Sequence, residues 1–230
     1  MAAIGSTRPK VVAFDIIETT FQIEPLDARL AALGLPVGSY RRLYAEGLRD
    51  AFALACSNRF QFFMSVLEAD LAGLLAEHGL AASDTAMVEA LSIMKTLPAY
   101  PDAQAAYAVL KDAGIRVFAL SNGAAGSTKS LLDRAEMSEL VDEVLSVDDV
   151  KLSKPRPEVY LYAVETAKVK PEEMMLVACH PWDVSGAIAA GLQGAYVGRG
   201  RPYPSRLFAE PHVKGESLTE ISHSILALAD

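Results

Sequence analysis

Residues 10–21 read KVVAFDIIETTF, and this stretch decides the fold. Its first five residues, KVVAF, contain the β-branched and aromatic side chains that are typical of a buried strand. The run stops abruptly at Asp15. The sequence therefore predicts a carboxylate at the carboxyl end of a strand, where it is either a reactive group or a simple cap of the following turn.

Helical and strand patterns alternate in the second half of the chain. A parallel sheet follows from this alternation, because parallel neighbours need long crossovers that helices usually supply. The predicted fold class is therefore α/β. The predicted helices cover 103–112, residues from about 127, and 157–168, and the predicted strands cover 116–120, 143–147 and 174–178. The last residues, from about Lys214, are predicted to form a closing helix.

The region between Pro25 and Leu97 has a helical periodicity without intervening strands. Side chains on one helical face recur at Leu67, Leu71, Leu74, Leu75 and His78, and Gly79 is a plausible stop. This pattern predicts a helical insertion after the first strand. We expect residues 1–22 and 98–230 to form an α/β core domain and residues 23–97 to form a helical cap domain.

The composition excludes several classes of protein. Of the 230 residues, 51% are hydrophobic and 22% are charged, which is enough apolar material for a large core. The formal net charge of -8 and the lack of a Lys/Arg cluster argue against a nucleic-acid partner. Residues 1–9 do not resemble a secretory signal and no run of about 18 apolar residues occurs, so we expect a cytoplasmic protein with no membrane association. The two cysteines and four scattered histidines predict neither disulfides nor a zinc site, and no cofactor is expected.

Polar residues follow three of the predicted strands. Asp15 follows the first, Ser121 and Asn122 follow the strand at 116–120, and Asp183 comes shortly after the strand at 174–178. In open α/β sheets, ligands bind beyond the carboxyl ends of the strands. The sequence therefore predicts that these four residues share one site.

Four motifs occur in an order that resembles the haloacid dehalogenase superfamily of hydrolases. They are FDIIETTF at 14–21, LSNG at 120–123, SKPRPEVY at 153–160 and ACHPWD at 178–183. The resemblance covers nearly the whole chain. It implies a Rossmann-like parallel sheet flanked by helices, with a helical cap inserted after the first strand. It also implies that Asp15 is a nucleophile that forms an ester with the substrate.

The residue types at two of these motifs suit such chemistry. A carboxylate that displaces a leaving group divides one difficult hydrolysis into two easier steps, so Asp15 is the expected nucleophile. Ser121 and Asn122 offer a hydroxyl, an amide and nearby backbone N–H groups to an anionic group of the substrate. Without the other motifs, the same Ser-Asn-Gly sequence is an ordinary turn.

Lys154 and Asp183 are the expected partners of Asp15. Lys154 lies on a proline-flanked loop, where a fixed cation would keep Asp15 ionised, although a solvated surface lysine is the alternative. Asp183 would orient or deprotonate the water that hydrolyses the ester, or it caps a helix N-terminus. We expect Asp15, Lys154 and Asp183 to be the catalytic residues.

The position two residues after Asp15 separates two kinds of enzyme within the resembled superfamily. The phosphatases have a second Asp there, which protonates the departing alkoxide, whereas this chain has Ile17, which cannot donate a proton. A halide leaves as a stable anion without such help. The chain thus looks more like the metal-independent L-2-haloacid dehalogenases. Thr19 fits their shared FDxxxT form, and Tyr160 and Trp182 match positions near their pocket, although both aromatics can equally fill a core.

The expected arginine of that branch is missing. It lies on the first long insertion helix and contacts the substrate carboxylate and the halide, but counting back from NRF at 58–60 places Tyr44 at its position. Neither Arg41 nor Arg42 is in register. A phenol does not reproduce the two parallel hydrogen bonds of a guanidinium. Tyr44 is still expected to contact the substrate.

Ala178 and His180, which both precede Asp183 in the last motif, also depart from the dehalogenase pattern. His180 replaces an asparagine and Ala178 replaces a serine. We interpret His180 as a residue of the substrate pocket that either acts as a new general base or simply forms a hydrogen bond in its loop, and the second interpretation is favoured. Cys179 is interpreted as a packing residue.

Three functions remain open from the sequence. The leading hypothesis is a 2-haloacid dehalogenase-like hydrolase that acts on a small organic acid without a metal. The first alternative is a small-molecule phosphatase with Mg²⁺ held by Asp15 and Asp183, since magnesium prefers oxygen ligands. The second alternative is a binding protein that has kept the fold and lost the activity. The resemblance also suggests a homodimer.

Overall fold

The structure is a computed structural model that describes residues 6–204 and 206–229. The predicted core segments 1–22 and 98–230 therefore lie outside the described residues at positions 1–5, 205 and 230. Within the described ranges, a six-stranded sheet has the order β3-β2-β1-β4-β5-β6, and all neighbouring strands are parallel. The strands are β1 Val11–Phe14, β2 Arg116–Ser121, β3 Glu143–Ser146, β4 Met174–Ala178, β5 Gln193–Val197 and β6 Val213–Gly215. The predicted α/β class is confirmed.

Helices connect the strands and cover both faces of the sheet. Their bounds are α1 Leu26–Ala32, α2 Ser39–Cys56, α3 Phe63–Glu77, α4 Asp84–Leu91, α5 Ala103–Asp112, α6 Ala125–Arg134, α7 Pro157–Ala167, α8 Pro181–Ala189 and α9 Leu218–Leu226. Short 3₁₀ turns lie at Ser92–Lys95, Ser138–Leu140 and Pro171–Glu173. No helix in the described part of the chain is both long and apolar enough to span a membrane.

The central strand β1 is buried on both faces. Side chains alternate across a strand, so Val12 and Phe14 enter the cluster that includes α5 and α9, whereas Val11 and Ala13 enter the cluster that includes α7 and α8. All four residues are fully buried. This two-sided burial is why the strand reads as a continuous apolar run, and it fixes Asp15 at the edge of a rigid element.

The end of the chain differs from the prediction. Lys214 lies in β6 rather than in a closing helix, and the last helix begins at Leu218, after Ser217 accepts a hydrogen bond from the backbone N–H of Glu220. Neither β5 nor β6 was predicted. Strand β5 reads QGAYV, in which only Tyr196 and Val197 are strong strand formers, and its conformation is stabilised by pairing with β4 and β6.

The predicted helical insertion corresponds to α1–α4, which lie between β1 and β2. Helix α3 packs against α2 and α4, and α1 packs against α2 and α4. The predicted buried leucines of α3 are confirmed, and Gly79 follows the helix with a positive φ of 67°. The insertion and one face of the sheet share a continuous apolar cluster. The division into a core domain and a cap domain stays a prediction.

Gly194 allows β5 to lie close to α8. An added Cβ at Gly194 would come within 2.8 Å of Val184 and 3.0 Å of Ile188. We therefore expect Gly194→Ala to lower the free energy of unfolding by about 1–3 kcal/mol through overpacking. The matched control is Gly73→Ala on the exposed side of α3, where an added Cβ meets nothing within 4 Å. Because alanine favours helices, this control should raise the free energy by about 0.5–1 kcal/mol. Equal urea midpoints for the two variants would contradict this account.

Candidate active site

Asp15 lies immediately after β1, and its backbone N–H donates to the carbonyl of Val177 on β4 at 3.0 Å. Its side chain accepts two hydrogen bonds. Oδ2 accepts from the hydroxyl of Thr19 at 2.7 Å, and Oδ1 accepts from the ammonium of Lys154 at 3.1 Å. Thr19 in turn accepts a hydrogen bond from the backbone N–H of Cys179 at 3.0 Å. The carboxylate is thus held in one orientation by the ends of two adjacent strands.

Lys154 is fully buried and joins the two carboxylates of the site. Its ammonium also donates to Oδ2 of Asp183 at 2.8 Å. The loop that carries it is tied to β2, because the backbone N–H of Lys154 donates to Oδ1 of Asn122 at 3.0 Å. A surface lysine is therefore the wrong description of Lys154. Its cation is placed where the sequence predicted it.

Burial and mutual charge interactions determine the ionisation states of Asp15, Lys154 and Asp183. Burial alone would raise the pKa of Asp15, but Lys154, His180 and the hydrogen bond from Thr19 together lower it below its usual value. Burial likewise disfavours the charged form of Lys154, and the two carboxylates outweigh this and raise the pKa of Lys154. Asp15 is therefore ionised and Lys154 is protonated at neutral pH. For Asp183, burial is the dominant cause and raises the pKa of its carboxyl group.

Asp183 lies in the first turn of α8 and is fully buried. Its Oδ1 accepts a hydrogen bond of 2.6 Å from the hydroxyl of Tyr160, which is itself fully buried on α7. Neither residue lines the cavity beside Asp15, and neither does Thr19. The contact of Tyr160 and Thr19 with the substrate stays a prediction. Both hydroxyls hold the carboxylates, because each one points towards a carboxylate oxygen.

A small, largely enclosed cavity opens beside Asp15, with a volume of about 40 Å³. The insertion contributes an apolar wall to it. Tyr44 and Leu48 of α2 and Phe63 and Met64 of α3 form this wall. No Arg or Lys among residues 6–204 and 206–229 lines the cavity. The cavity therefore suits a small, partly apolar molecule.

The opposite wall is polar and lies at the end of β2. Ser121, Asn122 and the first turn of α6 line it. Since Oδ1 of Asn122 is used by Lys154, the amide NH₂ is the group of Asn122 left to donate. The first N–H groups of a helix have no partner within the helix, and its dipole favours an anion there. This wall is suited to bind a carboxylate.

His180 and Trp182 complete the cavity at the carboxyl end of β4. Their rings stack at 5.2 Å between centroids, and Trp182 makes an edge contact with Phe52 of α2. Nε2 of His180 is 3.2 Å from the carbonyl of Ile17 and 3.6 Å from Oδ2 of Asp15. Burial lowers the pKa of His180, but Cys179, Asp15 and Glu18 outweigh this and raise it to about 10.

Tyr44 occupies the place where the sequence comparison expected an arginine. In the described part of the chain its hydroxyl has no hydrogen-bond partner. Burial, followed by the charges of Asp15 and Glu18, raises the pKa of Tyr44 well above 10, so its hydroxyl remains protonated. Neither neighbouring arginine lines the cavity: Arg42 pairs with Glu46 and Glu77 on the surface, and Arg41 donates to the hydroxyl of Tyr40.

The sequence reasoning missed Glu18. This residue has a positive φ of 64°, which is rare for a non-glycine residue. The conformation brings Oε2 to 3.7 Å from Nε2 of His180 and Oε1 to 3.8 Å from the guanidinium of Arg201. The motif FDIIETTF contains a charged residue between Ile17 and Thr19, but no local pattern indicates that a residue 162 positions later is its partner.

The residues beside Asp15 do not fit a magnesium ion. The four carboxylate oxygens of Asp15 and Asp183 already accept hydrogen bonds from Thr19, Lys154 and Tyr160. The described residues contain no cluster of three or more His, Cys, Asp or Glu that could hold a metal. Magnesium requires several oxygen ligands in octahedral geometry, and Lys154 already provides a cation between the two carboxylates.

The known proteins that this chain resembles in sequence include haloacid dehalogenases. A family model described as haloacid dehalogenase-like hydrolase matches residues 9–191. The chain is 34% identical to (S)-2-haloacid dehalogenase 1 of Pseudomonas sp. (strain CBS-3) over 57% of this chain and 58% of that protein. It is 29% identical to the (S)-2-haloacid dehalogenase of Xanthobacter autotrophicus over 83% of this chain and 75% of that protein. The match thus spans little more than half the length of the first of these relatives.

A solved structure has the same fold. The L-2-haloacid dehalogenase from Xanthobacter autotrophicus superposes with a TM-score of 0.86, covering 96% of this chain and 100% of that chain, at 24% sequence identity. The similarity includes the helical insertion as well as the sheet, since it extends over nearly the whole of both chains.

Replacing Lys154 tests the charge arrangement. Lys154→Met leaves two buried carboxylates without their cation, and we expect the free energy of unfolding to fall by about 3–5 kcal/mol near neutral pH. In the wild type the lowered pKa of Asp15 stabilises the fold above its unfolded pKa, and this contribution is lost as the pH falls through the folded pKa. In the variant burial raises the carboxyl pKa values, so its destabilisation shrinks as the pH falls.

The control for Lys154→Met is Lys129→Met, at an exposed position of α6. This variant should change the free energy of unfolding by no more than about 0.5 kcal/mol at any pH. The free energy of unfolding of both variants is measured with urea at two pH values. One is about pH 4.5, near the range in which carboxyl groups titrate, and the other is about pH 7.5, above that range. A loss for Lys154→Met that is the same at both pH values would contradict the ionised triad.

Proposed function

The chain belongs to the haloacid dehalogenase-like hydrolases, and we propose that it is a 2-haloacid dehalogenase-like enzyme in which Asp15 is esterified by a small carboxylic acid. One observation carries this proposal. Asp15 is an ionised carboxylate on the wall of a small cavity, fixed by Thr19 and Lys154, and the neighbouring cavity residue Ile17 has no proton to donate. Such a site suits a leaving group that departs without protonation.

In the first step, a carboxylate oxygen of Asp15 attacks the carbon that bears the halogen. A C–O bond forms, the carbon–halogen bond breaks, and the halide leaves with the electron pair. Burial alone would raise the pKa of the Asp15 carboxyl group, but Lys154 helps to lower it. Asp15 is therefore ionised when it attacks. The apolar wall from α2 and α3 excludes water from the nucleophile, which raises the reactivity of a carboxylate in a fixed orientation.

The substrate carboxylate is bound on the opposite wall. Ser121, the amide of Asn122 and the first turn of α6 supply donors for an anion. The hydroxyl of Tyr44 adds a neutral donor from the insertion, which replaces the guanidinium that the sequence comparison expected. Trp182 borders the alkyl part of the substrate. These contacts favour a small 2-halogenated acid over a bulky or cationic molecule.

In the second step, water attacks the carbonyl carbon of the Asp15 ester. Lys154 lies 3.1 Å from Oδ1 and stabilises the negative charge that develops on an ester oxygen. Asp183 is fully buried and engaged by Lys154 and Tyr160, so its part is to hold the ammonium in position. This differs from the role in which Asp183 deprotonates the water directly.

The alternatives from the sequence have less support. A phosphatase would need a proton donor at Ile17 and magnesium ligands that the carboxylates of Asp15 and Asp183 do not leave free. A non-catalytic binding protein has no need for a buried ammonium that keeps a carboxylate ionised. The cytoplasmic location and the homodimer stay predictions from the sequence.

Halide release tests the proposed reaction. We expect the purified protein to release chloride from L-2-chloropropionate, with the same rate in the presence of EDTA, because no step uses a metal. Asp15→Asn should lower the rate by at least about 10³-fold, since the nucleophile is lost. The control Asp84→Asn, in the exposed first turn of α4, should leave it unchanged. No chloride from the wild type, or magnesium-dependent hydrolysis of p-nitrophenyl phosphate, would remove the dehalogenase assignment.

A pair of tyrosine variants separates substrate binding from stability. The hydroxyl of Tyr44 faces the cavity without a protein partner, so Tyr44→Phe should raise KM by about 3- to 10-fold, as expected for one lost hydrogen bond, and leave the unfolding midpoint unchanged. The hydroxyl of buried Tyr107 shares a hydrogen bond of 2.8 Å with Thr20 away from the cavity. Tyr107→Phe should therefore lower the free energy of unfolding by about 1–2 kcal/mol without raising KM. An unchanged KM for Tyr44→Phe would exclude a contact between its hydroxyl and the substrate.

A further inference from the structure

An enclosed active site needs an entrance for its substrate. On the side of the insertion, the cavity beside Asp15 is lined by Tyr44 and Leu48 of α2. The same two side chains line a second cavity, which is more open to the surface and has a volume of about 240 Å³. Tyr44 and Leu48 therefore form a wall that the two cavities share. We call the second cavity the outer groove and define it by this wall together with Glu18, Arg41, Ala45 and Arg201.

Two exposed guanidinium groups line the outer groove. Arg41 lies in the first turn of α2, and Arg201 lies in the loop after β5. In the described part of the chain, Arg41 forms no ion pair, and its Nε donates to the hydroxyl of Tyr40 at 3.1 Å. Arg201 is 3.8 Å from Oε1 of Glu18, which is too far for a hydrogen bond. Both guanidinium groups therefore keep N–H donors for an additional anion.

The charge of the outer groove suits an anionic substrate. Two guanidinium groups and one carboxylate give the groove a net charge of +1, and arginine keeps its charge at every pH of interest. The chain as a whole has a formal charge of -8, so most of its surface repels an anion. A positive groove next to the cavity offsets this repulsion, and guanidinium groups bind carboxylates through parallel hydrogen bonds.

We propose, on the premise that the substrate is a small carboxylic acid as set out above, that the outer groove is an anion-binding entrance to the active site. Arg41 and Arg201 bind the substrate carboxylate at the surface. The substrate then passes between Tyr44 and Leu48 into the cavity beside Asp15. The two arginines thus act before the reaction, on the rate at which the substrate arrives, and take no part in the bond changes at Asp15.

The wall between the two cavities is suited to open. It is one layer of side chains thick, because Tyr44 and Leu48 line both cavities. The hydroxyl of Tyr44 has no hydrogen-bond partner among the described residues, so a rotation of this side chain breaks no hydrogen bond of the protein. Its ring is held by packing, including an edge contact with Phe63 at 5.8 Å between centroids. The polar wall is less free to move, because Asn122 accepts a hydrogen bond from the backbone of Lys154.

Binding kinetics of propionate, which has no leaving group, test the entrance without turnover. Trp182 is the only tryptophan of the chain and lines the cavity beside Asp15, so its fluorescence reports a ligand that has entered. Relaxation after a temperature jump gives the association and dissociation rate constants. We expect Arg41→Gln and Arg201→Gln each to lower the association rate constant by about 3- to 10-fold at low salt. Arg41→Lys, which keeps the charge, should restore most of the rate.

The dissociation rate constant separates an entrance from a contact in the bound state. A residue that only holds the bound ligand raises the dissociation rate constant when it is replaced. A residue that stabilises the anion on its way in also stabilises it on its way out. The dissociation rate constant should therefore not rise in Arg41→Gln. The matched control is Arg42→Gln, the next position of α2, which removes the same charge but pairs with Glu46 and Glu77 on the surface and lines neither cavity. It should leave the association rate constant unchanged.

An uncharged obstruction tests the route itself. Ala45 is exposed on α2 and lines the outer groove but not the cavity beside Asp15. Ala45→Phe should lower the association and dissociation rate constants of propionate together, by at least about 3-fold, and leave their ratio unchanged. The control Ala53→Phe, at another exposed position of α2 that lines neither cavity, should behave like the wild type.

Turnover and salt give a second measurement. For chloride release from L-2-chloropropionate, Arg41→Gln should lower kcat/KM by about 3- to 10-fold and leave kcat unchanged, because the reaction takes place at Asp15. Raising sodium nitrate from about 10 mM to about 200 mM should lower kcat/KM of the wild type more than that of Arg41→Gln, since salt screens a charge that the variant lacks.

A halide ion shares the negative charge of the substrate, so bromide quenching of Trp182 distinguishes the two anions. Slower entry of propionate in Arg41→Gln supports the entrance, whether or not bromide is slowed as well. Slower entry of bromide alone would make the groove a halide path and overturn the proposal, and so would unchanged propionate kinetics in both Arg41→Gln and Ala45→Phe. A wild type that releases no chloride while propionate still enters through the groove would remove the proposed reaction and leave the entrance. If propionate does not change the fluorescence of the wild type, both fail.

Discussion

The hydrogen-bonded ion pairs of Lys154 with Asp15 and Asp183 are the interaction on which the site depends. A buried ammonium without partners would lose its proton or destabilise the fold, and so would either carboxylate. Together they leave one negative charge in the interior. Lys154 lies far from both acids in the sequence, so the ion pairs also hold the loop after β3 against the ends of β1 and β4.

Two hydroxyl groups give the two carboxylates different surroundings. Thr19 fixes the orientation of Asp15 and leaves it on the cavity wall, whereas Tyr160 and Lys154 engage both oxygens of Asp183. Two acidic residues with the same chemistry therefore differ in access to a substrate. In the proposed reaction Asp15 is the nucleophile because it lines the cavity, and the enclosed Asp183 supports the cation.

No guanidinium group lines the cavity in the described part of the chain, and other polar groups stand where one was expected. The insertion presents the neutral hydroxyl of Tyr44, and the positive charge on the cavity wall comes instead from the other side, at His180. This charge depends on the ionisation of Asp15 and on Glu18, while a guanidinium is permanently charged.

The sequence by itself determined the elements whose patterns are local. The strand at β1, the helix Ala103–Asp112 and the strand Met174–Ala178 follow from propensity and periodicity, and the ends of parallel strands had to bring Asp15 and Ser121 to one edge. Only the tertiary structure decided the rest. Strand β5 exists because its neighbours pair with it, Tyr160 turns from the cavity towards Asp183, and Glu18 meets His180 across 162 positions of the chain. Such contacts depend on side-chain direction and long-range packing, which local patterns do not encode.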